Sequence, residues 1–94
     1  MIQQIDPNKV PFFFDGIRLH KDKKRNRKIL QTPEKVIVLD EVSFHILKFL
    51  DEEITIKEII KKLSFLYNID VADIQNDVFM FLDELIKNKI IGVK

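Results

Sequence analysis

The chain has 94 residues, 46% of them hydrophobic and 33% charged, with a net charge of +1 and no cysteine. That composition gives one domain with one small core, excludes a disulfide framework and a thiolate metal site, and offers no whole-molecule case for binding nucleic acid. No apolar run approaches the roughly 20 residues of a membrane span, the start lacks the regions of a signal peptide, and the cysteine-free composition fits a cytoplasmic protein.

Residues 1–10 are polar and irregular, with a turn signal at Asp6-Pro7-Asn8, and are expected to form a mobile tail; the domain is expected to span residues 11–94. Phe12-Phe13-Phe14 is the most apolar triplet, and its rings are expected to close one end of the core. Ile17 to Lys21 alternates apolar and polar residues, the period of a half-buried strand. A loop from Asp22 to Asn26 follows, with Asn26 suited to a left-handed turn position, then a second strand from Arg27 to Gln31. Ile17, Leu19 and one of Ile29 or Leu30 are expected to face the core. This hairpin carries seven basic residues against one acidic, a local charge of +6. A solvated, edge-protecting loop accounts for that run more simply than a phosphate contact.

Lys35-Val36-Ile37-Val38-Leu39 reads as a third strand, because three of its five residues are β-branched and the run is too short for a helix. Thr32-Pro33-Glu34 starts it and Asp40, a preferred N-cap, ends it. The first helix is expected over Glu41–Leu50, burying Val42, Ile46, Phe49 and Leu50. Thr55-Ile56-Lys57-Glu58 matches a capping box. It opens a second helix that is expected to bury Ile56, Ile59, Ile60, Leu63, Leu66 and Tyr67 and to stop at Asn68. A third helix is expected from Val71 to about Lys87, with Asp70 and Asn88 as caps. Val71, Ile74, Val78, Phe81, Leu82 and Leu85 share its narrow buried face; Phe79 and Ile86 form an apolar shoulder beside Leu82, and the opposite side carries Asp77, Glu84 and Asn88. Ile90 to Val93 can add a short strand or pack as coil.

No catalytic constellation is present. His20 and His45 lie on different elements, Gly16 and Gly92 are the only glycines, and Asp51-Glu52-Glu53 diverge as a solvated turn. The chain reads as a non-enzyme with no cofactor and no metal. A winged-helix nucleic-acid binder using the basic hairpin is the alternative, but the third helix carries Asp73, Asp77, Asp83 and Glu84, which repel phosphates.

The order of elements, three antiparallel strands then three helices, is an α+β, winged helix-turn-helix-like fold. Across it, Gly16-Ile17-Arg18-Leu19, Ile29 to Glu34, Val36 to Asp40, Ile46-Leu47, Asp51, Thr55 to Ile60, Leu63, Tyr67, Asp77-Val78, Phe81-Leu82 and Leu85 together resemble the PqqD family. That is the small protein of pyrroloquinoline quinone biosynthesis and the prototype of the RiPP recognition element. The resemblance spans about Pro11 to Ile91. The chain has Asp51-Glu52 where members usually carry Asp-Gly, and Lys28-Ile29 where the second strand often carries Trp.

The resemblance implies a non-catalytic adaptor. Such proteins bind the leader of a ribosomally made precursor peptide and present it to a modifying enzyme of radical SAM type, in quinone synthesis or a related peptide-modification pathway. It implies that the leader adds a strand beside Lys35, Val36, Ile37, Val38 and Leu39 and lies against the third helix. The shoulder of Phe79, Leu82 and Ile86 is the expected apolar contact there, unless the Phe12–Phe14 segment covers it. The same free edge would permit strand exchange between two copies.

Overall fold

The structure is a computed structural model that describes residues 5–94. Its strands are β1 (Pro11–Phe13), β2 (Arg18–Asp22), β3 (Arg27–Gln31), β4 (Val36–Leu39) and β5 (Ile91–Val93); its helices are α1 (Glu41–Lys48), α2 (Ile56–Tyr67) and α3 (Val71–Lys87). β2, β3 and β4 form a three-stranded antiparallel sheet with β3 in the centre, so β4 is an edge strand. The α+β architecture is the expected meander followed by three helices.

Local chemistry explains the element boundaries. Asn26, at φ 54°, takes the left-handed position of the β2–β3 loop, and Asp22 and Arg27 pair across its base at 4.0 Å. The Asp40 carboxylate accepts from the Ser43 amide at 2.7 Å and caps α1. α1 is shorter than expected: after Lys48 the chain tightens into a 3-10 turn, Phe49–Glu52, and Glu53 then sits in the left-handed region. The Thr55–Glu58 capping box is complete, which holds the Glu58 carboxyl below its ordinary pKa, chiefly through the Thr55 backbone amide and then its hydroxyl. Asn68, at φ 55°, ends α2 as expected. Asp70 stands at the α3 N-cap, but its side chain makes no capping bond; its carbonyl instead accepts from Asp73 and Ile74. At the other end the Asn88 side-chain amide bonds the Glu84 carbonyl at 2.9 Å.

One core lies between the sheet and the helices. Leu30, Leu47, Ile56, Ile59, Leu63, Val78, Leu82 and Ile91 are fully buried in it. Cross-strand partners Leu19, Leu30 and Ile37 form one row of the helix-facing side of the sheet, and Lys21, Lys28 and Leu39 the next. Of the pair Ile29 and Leu30, Leu30 is the one that faces the core, while Ile29 is buried on the other face of the sheet. Several helix positions depart from the expected stripe. Val42, Leu66 and Val71 are exposed, and Phe44 and Leu47 take the α1 core positions. The lysines 21, 28 and 48 gather 5.6–6.0 Å from the centre of the Phe44 ring.

The chain ends form a second, two-stranded sheet, β1 with β5, pairing Pro11 with Val93. The Val10 and Lys94 backbones exchange two further bonds at 2.8 and 2.9 Å. The Phe12 and Phe14 rings meet edge to face at 5.4 Å over Gly92, where an added Cβ would lie 2.7 Å from Phe12 and 2.9 Å from Phe14. Only a residue without a side chain fits beneath both rings in place. The fold also starts before Pro11. Ile56 and Lys57, at the start of α2, donate to the carbonyls of Lys9 and Pro7 at 3.0 and 2.9 Å. The expected tail therefore divides: residues 1–4 lie outside the described residues, while the Pro7 to Val10 backbone is bonded to α2 and to the C-terminus.

Candidate functional site

A strand at a sheet edge keeps half of its backbone groups unpaired, and which half depends on the turn that precedes it. Here the Thr32 amide donates to the Lys35 carbonyl at 2.8 Å, while the Thr32 hydroxyl accepts from the Glu34 and Lys35 amides at 3.3 and 3.0 Å. Hydrogen-bonded and non-bonded pairs alternate along an antiparallel ladder. Counting from Thr32–Lys35, the pairs Leu30–Ile37 and Lys28–Leu39 are bonded, and Gln31–Val36 and Ile29–Val38 are not. Val36 and Val38 therefore point their amides and carbonyls out along the free edge. Their side chains are open too, 53% and 55% exposed on the sheet face away from the helices. Ile37 and Leu39 point inward and pack partly buried against the core, and Lys35 is exposed beside the turn.

Two observations bear on the surroundings of β4. Asn88, its C-cap, lines a hollow of about 400 Å³ together with Thr32, Pro33, Glu34 and Lys35. At the other end Tyr67, just before α3, is close to Asp40 and Glu41. Burial pushes its phenol pKa up, and the charges of Glu41 and Asp40 add to the shift. The Tyr67 hydroxyl also meets His45 Nδ1 on α1. So the C-cap of α3 lies beside the turn that leads into β4, and the last residue of α2 lies beside the start of α1. The α3 stripe that continues from Asn88 at helical spacing is Glu84, Phe81 and Asp77. Phe81 is half-buried against the core, and Asp77 and Glu84 are exposed.

The expected shoulder of Phe79 and Ile86 has neighbours of its own. Phe79 and Ile86 lie on the opposite side of α3 from Asn88. Phe79 shares a hollow with Pro7, Asn8, Lys57 and Ile60, and Ile86 one with Ile5, Asp6, Lys9 and Val93. The segment Ile5–Lys9 borders them both, not Phe12–Phe14 and not β4. Leu82, at 0% exposure, is inside the core and reaches no surface. Of the expected site residues, Lys35 to Leu39 share one edge, whereas Phe79, Leu82 and Ile86 do not border it. Phe81, expected only as core, shares the α3 stripe of Asn88, whose end lies beside Lys35.

Among the described residues there is no group of three or more His, Cys, Asp or Glu placed to hold a metal, and no helix is long and apolar enough to cross a membrane.

The family model for coenzyme PQQ synthesis protein D (PqqD) matches residues 27–91, from β3 to the start of β5. The chain belongs to the PqqD family. It is 34% identical over 79 residues to the PqqA binding protein of Gluconobacter oxydans, covering 84% of this chain and 82% of that one. It is 32% identical over 82 residues to the bifunctional coenzyme PQQ synthesis protein C/D of Methylorubrum extorquens, of which it covers 22%. The solution NMR structure of the PqqD truncation of Methylobacterium extorquens PqqCD superposes with a TM-score of 0.79 at 30% identity over 93% of each chain. That structure is described as a functional, stand-alone RiPP recognition element.

α3 is acidic, with Asp73, Asp77 and Glu84 exposed. A base-reading helix presents Arg, Lys, Asn or Gln to the groove.

Proposed function

We propose that the chain is a non-catalytic peptide-binding adaptor. It takes the leader of a ribosomally made precursor peptide as an added strand along β4 and presents it to a peptide-modifying enzyme of radical SAM type. The observation that carries this reading is the outward pair of amides and carbonyls at Val36 and Val38, lying on an open edge whose first turn borders the C-cap of α3. Main-chain bonds to that edge supply affinity, and the flanking side chains read alternate residues of the guest strand. The relatives named as PqqA binding proteins support the class of ligand. The fusion of the D unit to the C unit in one relative supports work in direct contact with an enzyme.

Titrating the chain with a synthetic PqqA peptide, the ligand in the name of its relatives, tests the proposal. Saturable one-to-one binding that disappears in Val38→Pro, with the fold retained, is expected. A second copy of the chain is the competing occupant of the edge, and a dimer in solution that the leader does not dissociate would replace the adaptor reading.

A further inference from the structure

Three cations gather beside the β2–β3 hairpin without a carboxylate to neutralise them. Lys21 on β2 and Lys28 on β3 stand directly opposite each other in the antiparallel register, and like charges so placed destabilise a sheet. Lys48, the last residue of α1, brings a third charge from outside the hairpin. The three amino groups lie 5.6, 6.0 and 5.8 Å from the centre of the Phe44 ring. No two of them are therefore more than about 12 Å apart, on the order of the screening length at physiological salt. Among the described residues none of the three has a carboxylate within ion-pairing distance. Asp22, next to Lys21 in the chain, pairs with Arg27 instead.

The ring holds these charges together. Phe44 is buried but stands outside the main core; its π face attracts the cations, and the lysine stems help to cover it. Side chains already anchored in this way lose less freedom when an anion arrives. The cluster is also short. Exposed Asp51, Glu52 and Glu53 follow Lys48 in the chain, and exposed Asp40 and Glu41 follow Leu39, the cross-strand partner of Lys28. A nucleic acid duplex, with a charge about every 1.7 Å of its length, would run on from the lysines to these carboxylates. A short acidic stretch of polypeptide would not.

We propose that Lys21, Lys28 and Lys48 form a docking patch for a short acidic segment of a partner protein, with about three carboxylates to match the three amino groups. The bound carboxylates relieve the repulsion between Lys21 and Lys28 that the free chain leaves uncompensated. The inference goes beyond the peptide-adaptor reading and does not depend on it. The lysines stand on the helix-facing side of the sheet, whereas the Val36 and Val38 side chains turn to the other face, so the patch and the free edge of β4 are separate surfaces.

The test titrates the isotope-labelled chain with a Gly-Ser decapeptide that carries three consecutive glutamates, and with its glutamine counterpart. Amide shifts are followed by NMR at about 0.02 M and about 0.3 M salt, where the range of screening differs several-fold. The glutamate peptide should shift the Lys21, Lys28, Phe44 and Lys48 amides saturably, and more weakly at high salt; the glutamine peptide should not. Lys21→Gln combined with Lys48→Gln should weaken binding about fivefold or more, since exposed charge pairs contribute up to a few-fold each. Both side chains are exposed, and circular dichroism checks the fold. Equal responses to the two peptides, no response to either, or a glutamate response untouched by the double variant overturns the patch. A mixed-sequence DNA duplex that shifts the same amides at lower concentration than the glutamate peptide, at about 0.15 M salt, overturns the assignment to an acidic protein segment.

Discussion

The Thr32 amide bonds the Lys35 carbonyl at 2.8 Å, and this pair sets the direction of every amide in β4. One residue of slip would turn Ile37 and Leu39 to solvent and Val36 and Val38 to the core. The Thr32 hydroxyl, bonded to the Glu34 and Lys35 amides, braces the turn against that slip.

Proline substitutions along β4 should therefore sort by parity. Val36→Pro and Val38→Pro remove outward amides and should keep the fold while abolishing peptide binding. Ile37→Pro removes an inward amide and a partly buried side chain, at a cost of about 2–5 kcal/mol. Urea denaturation and peptide titration on the three variants check the pattern.

Phe79→Ala should lower stability by about 1–3 kcal/mol, less than the roughly 3–5 kcal/mol of a fully buried ring, because Phe79 is half-buried beside Pro7 and Ile60. The affinity of the folded protein for peptide should not change. Phe81→Ala should do both: cost stability and weaken binding about tenfold or more, since its ring shares the α3 stripe of Asn88, which lies beside Lys35. Denaturation and calorimetric titration of both variants separate the two sides of α3.

Much of the fold was legible because its determinants are local. Asn26, Asp40, Thr55 with Glu58, and Asn68 each fix a turn or a helix end through their own side chain or backbone preference. Residues 71–87 also show the period of α3 directly. What was not legible depends on elements far apart in sequence. A helical wheel shows that Phe79 and Ile86 flank the buried face, but not that Ile5–Lys9 borders them while Asn88 ends beside Lys35. Likewise nothing in Pro11-Phe12-Phe13 alone shows that it pairs with Ile91-Gly92-Val93; Gly92 hints at a close approach, but not at whose rings approach.

The capping box at the start of α2 should be measurable on its own. Thr55→Ala should cost about 1 kcal/mol. The Glu58 pKa is lower in the folded chain than in the unfolded one. Its stabilising contribution is therefore present above the unfolded-state value and is lost as pH falls through the folded-state value. Glu58 should titrate below the ordinary glutamate range in a carboxyl-detected NMR titration, and should return to that range in Thr55→Ala.

Glu53 occupies a left-handed conformation at φ 54°, where a Cβ is unfavourable. Its contact with Lys94, at 3.9 Å between exposed side chains, offsets little of that. Glu53→Gly should raise stability by about 0.5–1 kcal/mol, visible as a higher urea midpoint at unchanged slope.

The most direct measurement of strand addition on β4 is amide hydrogen exchange by NMR, free and with saturating leader peptide. In the free protein the Ile37 and Leu39 amides should be protected by β3, and those of Val36 and Val38 should exchange quickly. With peptide bound, Val36 and Val38 should slow by a hundredfold or more, since two orders of magnitude correspond to about 2.7 kcal/mol of added protection, while Phe79 and Ile86 shifts stay in place. Peptide binding that leaves Val36 and Val38 as fast as in the free protein would contradict strand addition on this edge.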